Sequence, residues 1–248
     1  MSFGQTKARV MLVLLMLLHA PLAKAAWQKL STGLEYQKLN NGTPTPWSAL
    51  HAFKLDLRAL EMNLVTAQEL DLSHASIKDF SKTKHAYISI NGGFFDHNFK
   101  PLGLRIQKGA QKSPLKAISW WGIFYIKGNK AHISDRHSFE EDPDIDFALQ
   151  SGPRLLINGK IPKLKPGHAE RSALCIRKDG KVIIAVTDNQ ALLTQELAEA
   201  LKAPPLNCID ALNLDGGSSS QLHAHVDTFI LNVYGFSKIS DAILVNPR

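Results

Sequence analysis

Alternating apolar and polar residues predict a chain built mainly from strands. Between Ala52 and Arg58, apolar and charged side chains alternate at every position, which is typical of a half-buried strand. Short, mainly apolar runs predict further strands at Ala86–Ile90, Val182–Val186, Ile209–Leu214, Phe229–Val233 and Ala242–Val245. The predicted strands outnumber the predicted helices.

Two-residue turns indicate how the strands pair. Gly128-Asn129 separates Trp121–Ile126 from Ala131–Ile133, Asn158-Gly159 follows Arg154–Ile157, and Asp179-Gly180 separates Ala173–Arg177 from Lys181–Val186. Such dipeptides favour tight hairpins, so mainly antiparallel pairing is expected.

Two helices are predicted. Ser73 is the expected cap of a short helix through Phe80, and Thr194 is the expected cap of a helix that ends at Pro204-Pro205. In the second helix, Leu193, Leu197 and Leu201 form one apolar stripe. We therefore expect an α+β fold, with a few helices packed against a mixed, mainly antiparallel β-sheet in a single domain over residues 26–248.

The first twenty-five residues have the features of a signal peptide. Lys7 and Arg9 precede an apolar run from Val10 to Leu18, and Ala23-Lys24-Ala25 supplies the small residues that signal peptidase requires. The run is much shorter than the roughly 20 residues of a spanning helix. We predict a signal peptide over residues 1–25 and an exported chain without a stable membrane anchor, in the periplasm or secreted.

Charge and cysteine content narrow the choice of partners. The formal net charge is +7, from 29 basic and 22 acidic residues, and falls to +4 without residues 1–25. The basic residues are scattered, so no nucleic-acid partner is predicted.

Cys175 and Cys208 could form one disulfide or remain separate buried thiols, and the sequence leaves both open. It also leaves the oligomeric state open.

Two predicted strands end in the same pattern. One runs into Asn91-Gly92-Gly93 and the other into Asp215-Gly216-Gly217. Paired glycines let backbone N–H groups approach a ligand that a Cβ would keep away. Two plain tight turns are the alternative, but an amide or carboxylate at each bend favours a binding or catalytic site.

Five motifs in order carry a resemblance to a known family. They are Asn91-Gly92-Gly93-Phe94-Phe95, Pro101-Leu102-Gly103-Leu104, Ser151-Gly152-Pro153, Arg171-Ser172-Ala173 and Asn213-Leu214-Asp215-Gly216-Gly217-Ser218. Together they resemble the phosphodiester glycosidase family, from about Phe53 to the C-terminus. The resemblance implies hydrolysis of a sugar C1–O–phosphate bond in an envelope or extracellular glycan.

The implied reaction assigns roles to charged residues. It needs a carboxylate on the sugar side, for which Asp215 is the candidate as nucleophile, base or electrostatic stabiliser. On the phosphate side, the Arg171 guanidinium could make two parallel bonds. Asp188 is the candidate second carboxylate, although Asn189 replaces the glycine that the family has there, and Glu170 competes for that role. Asn91 completes the predicted catalytic set.

The other candidates are expected to contact substrate. Phe94 and Phe95 could stack on a sugar ring or fill the core. Arg105 could add a contact to the phosphate, although solvent exposure is the default expectation for it. The predicted substrate-binding residues are Gly92, Gly93, Phe94, Phe95, Ser151, Gly152, His168, Glu170, Asn213, Gly216, Gly217 and Ser218.

Three other functions are compatible with parts of the sequence. A serine hydrolase using Ser218–Ser220 lacks the G-x-S-x-G elbow. No cofactor or metal is predicted, yet calcium stays an alternative because Asp215, Asp188, Asp96 and Asn91 carry oxygen ligands. A non-catalytic module that binds envelope glycans could keep the same fold and glycine turns.

Overall fold

A computed structural model describes residues 26–40 and 45–248. The predicted signal peptide lies outside these residues. The strands are β1 Gln28–Ser31, β2 Leu34–Leu39, β3 Ala49–Leu55, β4 Leu60–Thr66, β5 Ile88–Asn91, β6 Arg105–Gln107, β7 Ala110–Ser113, β8 Gly122–Lys127, β9 Lys130–Asp135, β10 Ile145–Ser151, β11 Arg154–Leu156, β12 His168–Ala169, β13 Ser172–Arg177, β14 Val182–Asp188, β15 Leu192–Leu193, β16 Cys208–Asn213, β17 Leu222–Val226, β18 Phe229–Val233 and β19 Asp241–Pro247. The helices are α1 Ile77–Lys84 and α2 Thr194–Lys202, with 3₁₀ turns at Ala67–Leu70 and Gly217–Ser219. In the described part, neither helix has the length and apolar character needed to cross a membrane.

The strands form several sheets rather than one. Sheet I has the order β1-β2-β3-β14-β13-β16-β11, sheet II the order β7-β6-β10-β8-β9, and sheet III the order β18-β17-β5-β19-β4, while β12 and β15 form a separate pair. All pairings among the described residues are antiparallel. The expected antiparallel character is confirmed, but strands dominate the fold far more than the α+β label implied. The single-domain assignment stays a prediction.

The core lies on both faces of sheet I. On one face, Phe53 and Leu55 of β3 join a large apolar cluster with sheets II and III, which contribute Phe124 and Ile90 among others. On the opposite face, alternate residues of β3 such as Leu50 pack under α2. Helix α1 covers the outer side of sheet III. Because β3 is buried on both faces, the prediction of a half-buried strand there was wrong.

The end of β3 also differs from its prediction. The strand stops at Leu55 because Asp56 closes a turn, accepting the Arg58 N–H at 3.1 Å on Oδ1 and the Ala59 N–H at 3.0 Å on its carbonyl. The predicted turns at Gly128-Asn129 and Asp179-Gly180 do join paired strands. The Asn158-Gly159 turn is closed by one bridge between Ile157 and Lys160, and β11 pairs with β16 instead.

Both predicted helix caps were wrong. Helix α1 is capped by Ser76, whose N–H donates to Asp79 Oδ2 at 2.9 Å in a capping box. Thr194 is the first residue of α2 rather than its cap. Its hydroxyl donates to the Lys165 carbonyl at 3.2 Å and accepts from Arg171, so this side chain ties the helix to a neighbouring loop. The predicted apolar stripe packs inward through Leu197 and Leu201.

Cys175 and Cys208 form a disulfide. Their Cα atoms are 5.9 Å apart on the neighbouring strands β13 and β16, beneath α2. The structure thus decides between the two options that the sequence left open.

Removing this disulfide is expected to destabilise the fold substantially. The bond closes a loop of 33 residues, and the chain-entropy model assigns about 3–4 kcal/mol to a loop of that size. The double substitution Cys175→Ala/Cys208→Ala should lower the free energy of unfolding by about this amount in urea titrations. A loss below about 1 kcal/mol would contradict the expectation.

Candidate active site

Antiparallel pairing brings the predicted site residues to one end of the fold. Strand β13 begins beside the ends of β14 and β16, and β19 begins beside the end of β5. Asp188 ends β14, Asp215 follows β16, Arg171 precedes β13, and Asn91 ends β5. Residues far apart in the sequence therefore meet where these strands start and stop.

The Asn91 side chain links several segments at this end of the fold by hydrogen bonds. Its side chain is fully buried, and Nδ2 donates to the Asp215 carbonyl at 2.8 Å. Its Oδ1 accepts from Ser172 Oγ at 2.7 Å and from the Gln221 N–H at 3.2 Å. The Asp215 N–H donates to the Gly92 carbonyl at 3.2 Å. With its polar atoms bonded to protein, Asn91 holds the Asp215 loop in place rather than reaching into solvent.

Asp215 lies at the opening of this arrangement and is only partly exposed. Its Oδ1 accepts the Gly216 N–H at 2.9 Å. Burial raises the pKa of its carboxyl group above the usual range, and the charge of Asp241 adds to this, against hydrogen bonds from Ser219 and Gly216 and the charge of Arg105. A carboxylate with a raised pKa beside a strand end is a common property of catalytic acids and bases.

Asn213 joins the Asp215 loop to the end of β10. Its Nδ2 donates to the Gly152 carbonyl at 3.1 Å, and its backbone N–H donates to the Pro153 carbonyl at 3.0 Å. Ser151 is fully buried. A Cβ on Gly152 would overlap the Trp121 ring, so this glycine permits close packing. Ser151-Gly152 therefore forms part of the wall of the site.

Glu170 and Asp188 bring two more carboxyl groups to the site. Burial raises the pKa of Glu170, and the negative charge of Asp188 raises it further. The Glu170 carbonyl accepts the Gly217 N–H at 2.7 Å, which places its backbone against the Asp215 loop. The Asp188 side chain is 27% exposed, and its Oδ1 accepts from Asn189 Nδ2 at 3.0 Å. The carboxyl groups of Glu170 and Asp188 therefore interact electrostatically, and both remain candidates for the second carboxylate.

Arg171 is held mainly by backbone oxygens. Its Nε donates to the Leu192 carbonyl at 3.1 Å, and Nη2 donates to the Gly167 carbonyl and to Thr194 Oγ1. Burial lowers the pKa of the guanidinium. Among the described residues, Nη1 has no hydrogen-bond partner. A two-bond fork to phosphate would need Nε or Nη2 to leave its present acceptor, so this arrangement favours a single contact through Nη1.

Arg105 is fully buried, contrary to the expected exposure. Its Nε donates to Asp241 Oδ2 at 3.2 Å, and both side chains have 0% exposure. Nη1 donates to the carbonyls of Leu102, Leu104 and Gln150 at 3.0–3.2 Å. A direct phosphate contact by Arg105 is therefore excluded in this structure, because the charge is already paired beneath the site.

The first glycine pair is needed for packing against this ion pair. A Cβ on Gly92 would overlap Asp241 Oδ1, and one on Gly93 would overlap Arg105 Nη2. The Gly92 N–H donates to the Asp241 carbonyl at 3.0 Å. In the second pair, Gly217 has a φ of +61°; the Gly216 N–H donates to Asp215 Oδ1 and the Gly217 N–H donates to the Glu170 carbonyl. The expectation that these amides are free to bind a ligand fails for Gly92, Gly216 and Gly217.

The remaining candidates divide between wall and surface. Phe94 stacks on Trp121 with ring centroids 5.1 Å apart, while Phe95 packs on the cluster beneath α1. Ser218 is exposed, and its Oγ accepts from Ser237 Oγ at 2.7 Å. His168 is exposed on β12, opposite Leu193. Within the described residues, His168 makes no hydrogen bond or ion pair with the carboxylates, so it lies at the margin of the site.

Sequence reasoning missed Tyr36 and His51. Tyr36 Oη lies 2.8 Å from His51 Nδ1, and His51 Nε2 lies 3.6 Å from Asp188 Oδ2. Both residues sit on strands of sheet I, where β2, β3 and β14 are adjacent. The alternation of β3 could have placed His51 on the face of Phe53, but no local signal marks its partners.

Within residues 26–40 and 45–248, no three or more histidine, cysteine, aspartate or glutamate side chains are grouped so that they could hold a metal ion. Asp96, one of the calcium ligands considered, accepts the N–H groups of Asn98 and Lys100 at 2.9 Å in an exposed turn. Its carboxylate thus stabilises that turn.

Comparison with known proteins identifies the family. The family model for phosphodiester glycosidases (NAGPA) matches residues 84–246, well over half of the chain. This chain belongs to the phosphodiester glycosidase family, as its five motifs had indicated.

Individual relatives agree with this assignment. The uncharacterized protein YigE of Escherichia coli (strain K12) is 34% identical over 155 residues, which cover 58% of this chain and 60% of YigE. The SPbeta prophage-derived uncharacterized protein YomE of Bacillus subtilis (strain 168) is 25% identical over 59% of this chain and 25% of its own length. The chain thus spans less than two thirds of either relative.

Solved structures share the fold. The catalytic domain of zebrafish N-acetylglucosamine-1-phosphodiester alpha-N-acetylglucosaminidase, auto-inhibited by its pro-peptide, superimposes with a TM-score of 0.68 at 19% identity, covering 91% of this chain and 87% of that domain. A hypothetical protein from Synechocystis has a TM-score of 0.63 at 14% identity, covering 88% and 63%. A Burkholderia pseudomallei protein described as exported has a TM-score of 0.55 at 11% identity, covering 81% and 74%.

Proposed function

We propose that this protein is an exported hydrolase that cleaves a sugar C1–O–phosphate bond in an envelope or extracellular glycan. The observation that supports the proposal is that Asp215, Glu170, Asp188 and Arg171 all lie where strands start and stop at one end of a phosphodiester glycosidase fold. The Glu170 backbone bonds to the Asp215 loop, and its carboxyl group interacts with Asp188. Carboxylates and a cation at one site suit a reaction that develops positive charge on the sugar and leaves negative charge on phosphate.

The charge distribution suggests how the bond is broken. Asp215 faces the sugar and stabilises, or bonds to, C1 as the C1–O bond lengthens. The phosphate monoester keeps the bonding electrons and leaves, and Arg171 Nη1 meets its charge. Water then supplies the hydroxyl group at C1. Glu170, whose pKa is raised by burial and by the charge of Asp188, is suited to carry a proton.

Exposed aromatic rings near the site suit a carbohydrate ligand. Trp120 is 58% exposed and packs edge-on against Trp121, which stacks on Phe94. Tyr234 and Phe236 are 65% and 90% exposed and flank Gly235, which packs against the Ser218 carbonyl. Such rings offer an apolar face together with accessible edges, which supports binding of a sugar at the rim.

Export fits the same proposal. The disulfide between Cys175 and Cys208 is typical of oxidising compartments. Wall polymers and phosphoglycans outside the cytoplasm would supply the substrate. Mass spectrometry of the protein from periplasm and medium should find a mature N-terminus at Ala26, and an intact N-terminus in the cytoplasm would contradict export.

The activity can be tested with the p-nitrophenyl phosphodiester of α-linked N-acetylglucosamine 1-phosphate in H₂¹⁸O. The expected products are free sugar carrying the label and unlabelled p-nitrophenyl phosphate, resolved by ³¹P NMR and mass spectrometry. Label in the phosphate would instead reveal an ordinary phosphodiesterase. Binding of the diester without turnover would favour the non-catalytic glycan-binding module. The anomer released first would report retention or inversion.

A further inference from the structure

Behind Asp188 lie a buried histidine, His51, and a half-buried tyrosine, Tyr36, that the reaction outlined above does not use. His51 is 4% exposed on β3, and the Tyr36 ring on β2 packs against Phe53 and Phe229 with centroids 5.1 and 4.8 Å away. In the sheet register, His51 is opposite Val186, two residues before Asp188 on the same face. Tyr36, His51 and Asp188 therefore form a row from the interior to the site.

The protonation state of this row follows from burial. Burial, with the charge of Asp188, raises the pKa of Tyr36 to about 12, so the phenol keeps its proton at neutral pH. Burial lowers the pKa of His51; the charge of Asp188 opposes this, and the charge of Lys38 adds to it. His51 is thus a neutral imidazole with one N–H group.

The hydrogen bond from Tyr36 selects the nitrogen that carries this proton. Among the described residues, the Tyr36 hydroxyl has His51 Nδ1 as its only hydrogen-bond partner, at 2.8 Å. The Asp188 carboxylate facing the other ring nitrogen can only accept a hydrogen bond, so Nδ1 is the acceptor and the phenol donates to it. The imidazole proton is then on Nε2, which is the atom that faces Asp188 Oδ2 at 3.6 Å.

We propose that His51, fixed by Tyr36, is a positioning residue that presents Nε2–H to Asp188 and keeps this carboxylate oriented during turnover. The proposal rests on the proposed function, in which Asp188 is the second carboxylate. The other oxygen of Asp188 is held by Asn189. At 3.6 Å the contact with His51 is longer than a hydrogen bond, and it shortens when substrate fills the site, as apo catalytic contacts commonly do.

The electrostatic surroundings give Asp188 a defined task. The titratable or charged groups facing this row are Tyr36 and Lys38 from β2, Asp188 from β14, and Glu170, whose charge interacts with Asp188. An N–H donor at Nε2 holds Asp188 in place near Glu170, and the negative charge of Asp188 raises the pKa of Glu170. His51 therefore helps to give Asp188 and Glu170 different roles in the reaction.

The donor assignment can be tested without substrate, using ¹⁵N-histidine NMR of the full chain. Wild type should show the Nε2–H tautomer of His51 at pH 7 and a pKa below the ordinary histidine range. Asp188→Asn should lower the His51 pKa further, because the opposite charge is lost. Tyr36→Phe should weaken the preference of His51 for the Nε2–H tautomer, because the hydrogen bond to Nδ1 is lost. An Nδ1–H tautomer in wild type, or a His51 pKa that ignores Asp188→Asn, would overturn the assignment.

The functional part is tested by kinetics on the labelled diester. His51→Leu should lower kcat roughly ten- to hundred-fold with little change in KM, as loss of a supporting partner commonly does. It should also move the pH dependence of kcat, whereas His51→Gln, which keeps an N–H near Nε2, should recover much of the rate. A His51→Leu enzyme with the wild-type kcat and pH profile would overturn the positioning role.

A matched control is the second tyrosine–histidine pair. Tyr125 and His132 stack with centroids 4.9 Å apart on β8 and β9, away from the carboxylates. Burial also lowers the pKa of His132. His132→Leu should leave kcat and its pH profile unchanged. A wild-type enzyme inactive on every diester would count against the proposed function, while the NMR measurements would still decide how His51 faces Asp188.

Discussion

Asp215→Asn is expected to reduce kcat/KM for the sugar phosphodiester by roughly 10³-fold or more. The substitution preserves the shape of the side chain and an oxygen that can accept the Gly216 N–H. It removes the negative charge that the proposed reaction needs on the sugar side. Activity should be measured by release of the phosphate monoester, and the affinity for the intact diester should change far less than the turnover.

The same variant is expected to be at least as stable as wild type at pH 7. Because burial raises the pKa of Asp215, the folded protein binds this proton more tightly than the unfolded chain does. The stability that the group contributes is therefore present below its unfolded pKa and is lost as pH rises through the raised folded pKa. At pH 7 the ionised carboxylate opposes folding, and asparagine removes that cost. The advantage in thermal melts should disappear as pH falls through this window.

Asp210→Asn is the matched control for this prediction. Asp210 lies on the same strand, β16, where its Oδ1 accepts the Asn158 N–H at 3.0 Å. Its substitution should leave turnover unchanged. Asp215→Asn with wild-type turnover would exclude Asp215 from catalysis, and a loss of turnover accompanied by unfolding would assign it a structural role.

Local patterns predicted the strands because burial in a sheet leaves a trace within a few residues. A short, mainly apolar run placed β18 at Phe229–Val233 with the observed bounds, and the Asp179-Gly180 turn joined β13 to β14. Helix caps were harder because several small polar residues precede α1, and only the reciprocal bonds with Asp79 select Ser76. The strand-end motifs indicated the site because antiparallel neighbours start and stop at the same end.

Contacts between distant residues could not be predicted in this way. Arg105 and Asp241 are 136 positions apart, and neither stands in a local pattern that identifies the other. The glycines at 92 and 93 were predicted to bind substrate, whereas the structure shows that they pack against that ion pair. The row of Tyr36, His51 and Asp188 likewise spans three strands, so it becomes visible only once β2, β3 and β14 are adjacent.

Arg105→Met is expected to lower the free energy of unfolding by about 3–5 kcal/mol, because it leaves Asp241 as an unpaired buried charge. Both side chains of the pair have 0% exposure. The double substitution Arg105→Met/Asp241→Leu should recover part of this loss, since neither charge then remains. The surface pair Lys127–Asp142, whose side chains are 43% and 32% exposed, provides the control. Lys127→Met should have a much smaller effect in the same urea titrations, because a surface ion pair contributes little to stability. Equal losses of stability in Arg105→Met and Lys127→Met would show that the buried pair is not important for the fold. The expected larger loss in Arg105→Met would show that the ion pair must be kept, and only glycine leaves room for it at positions 92 and 93.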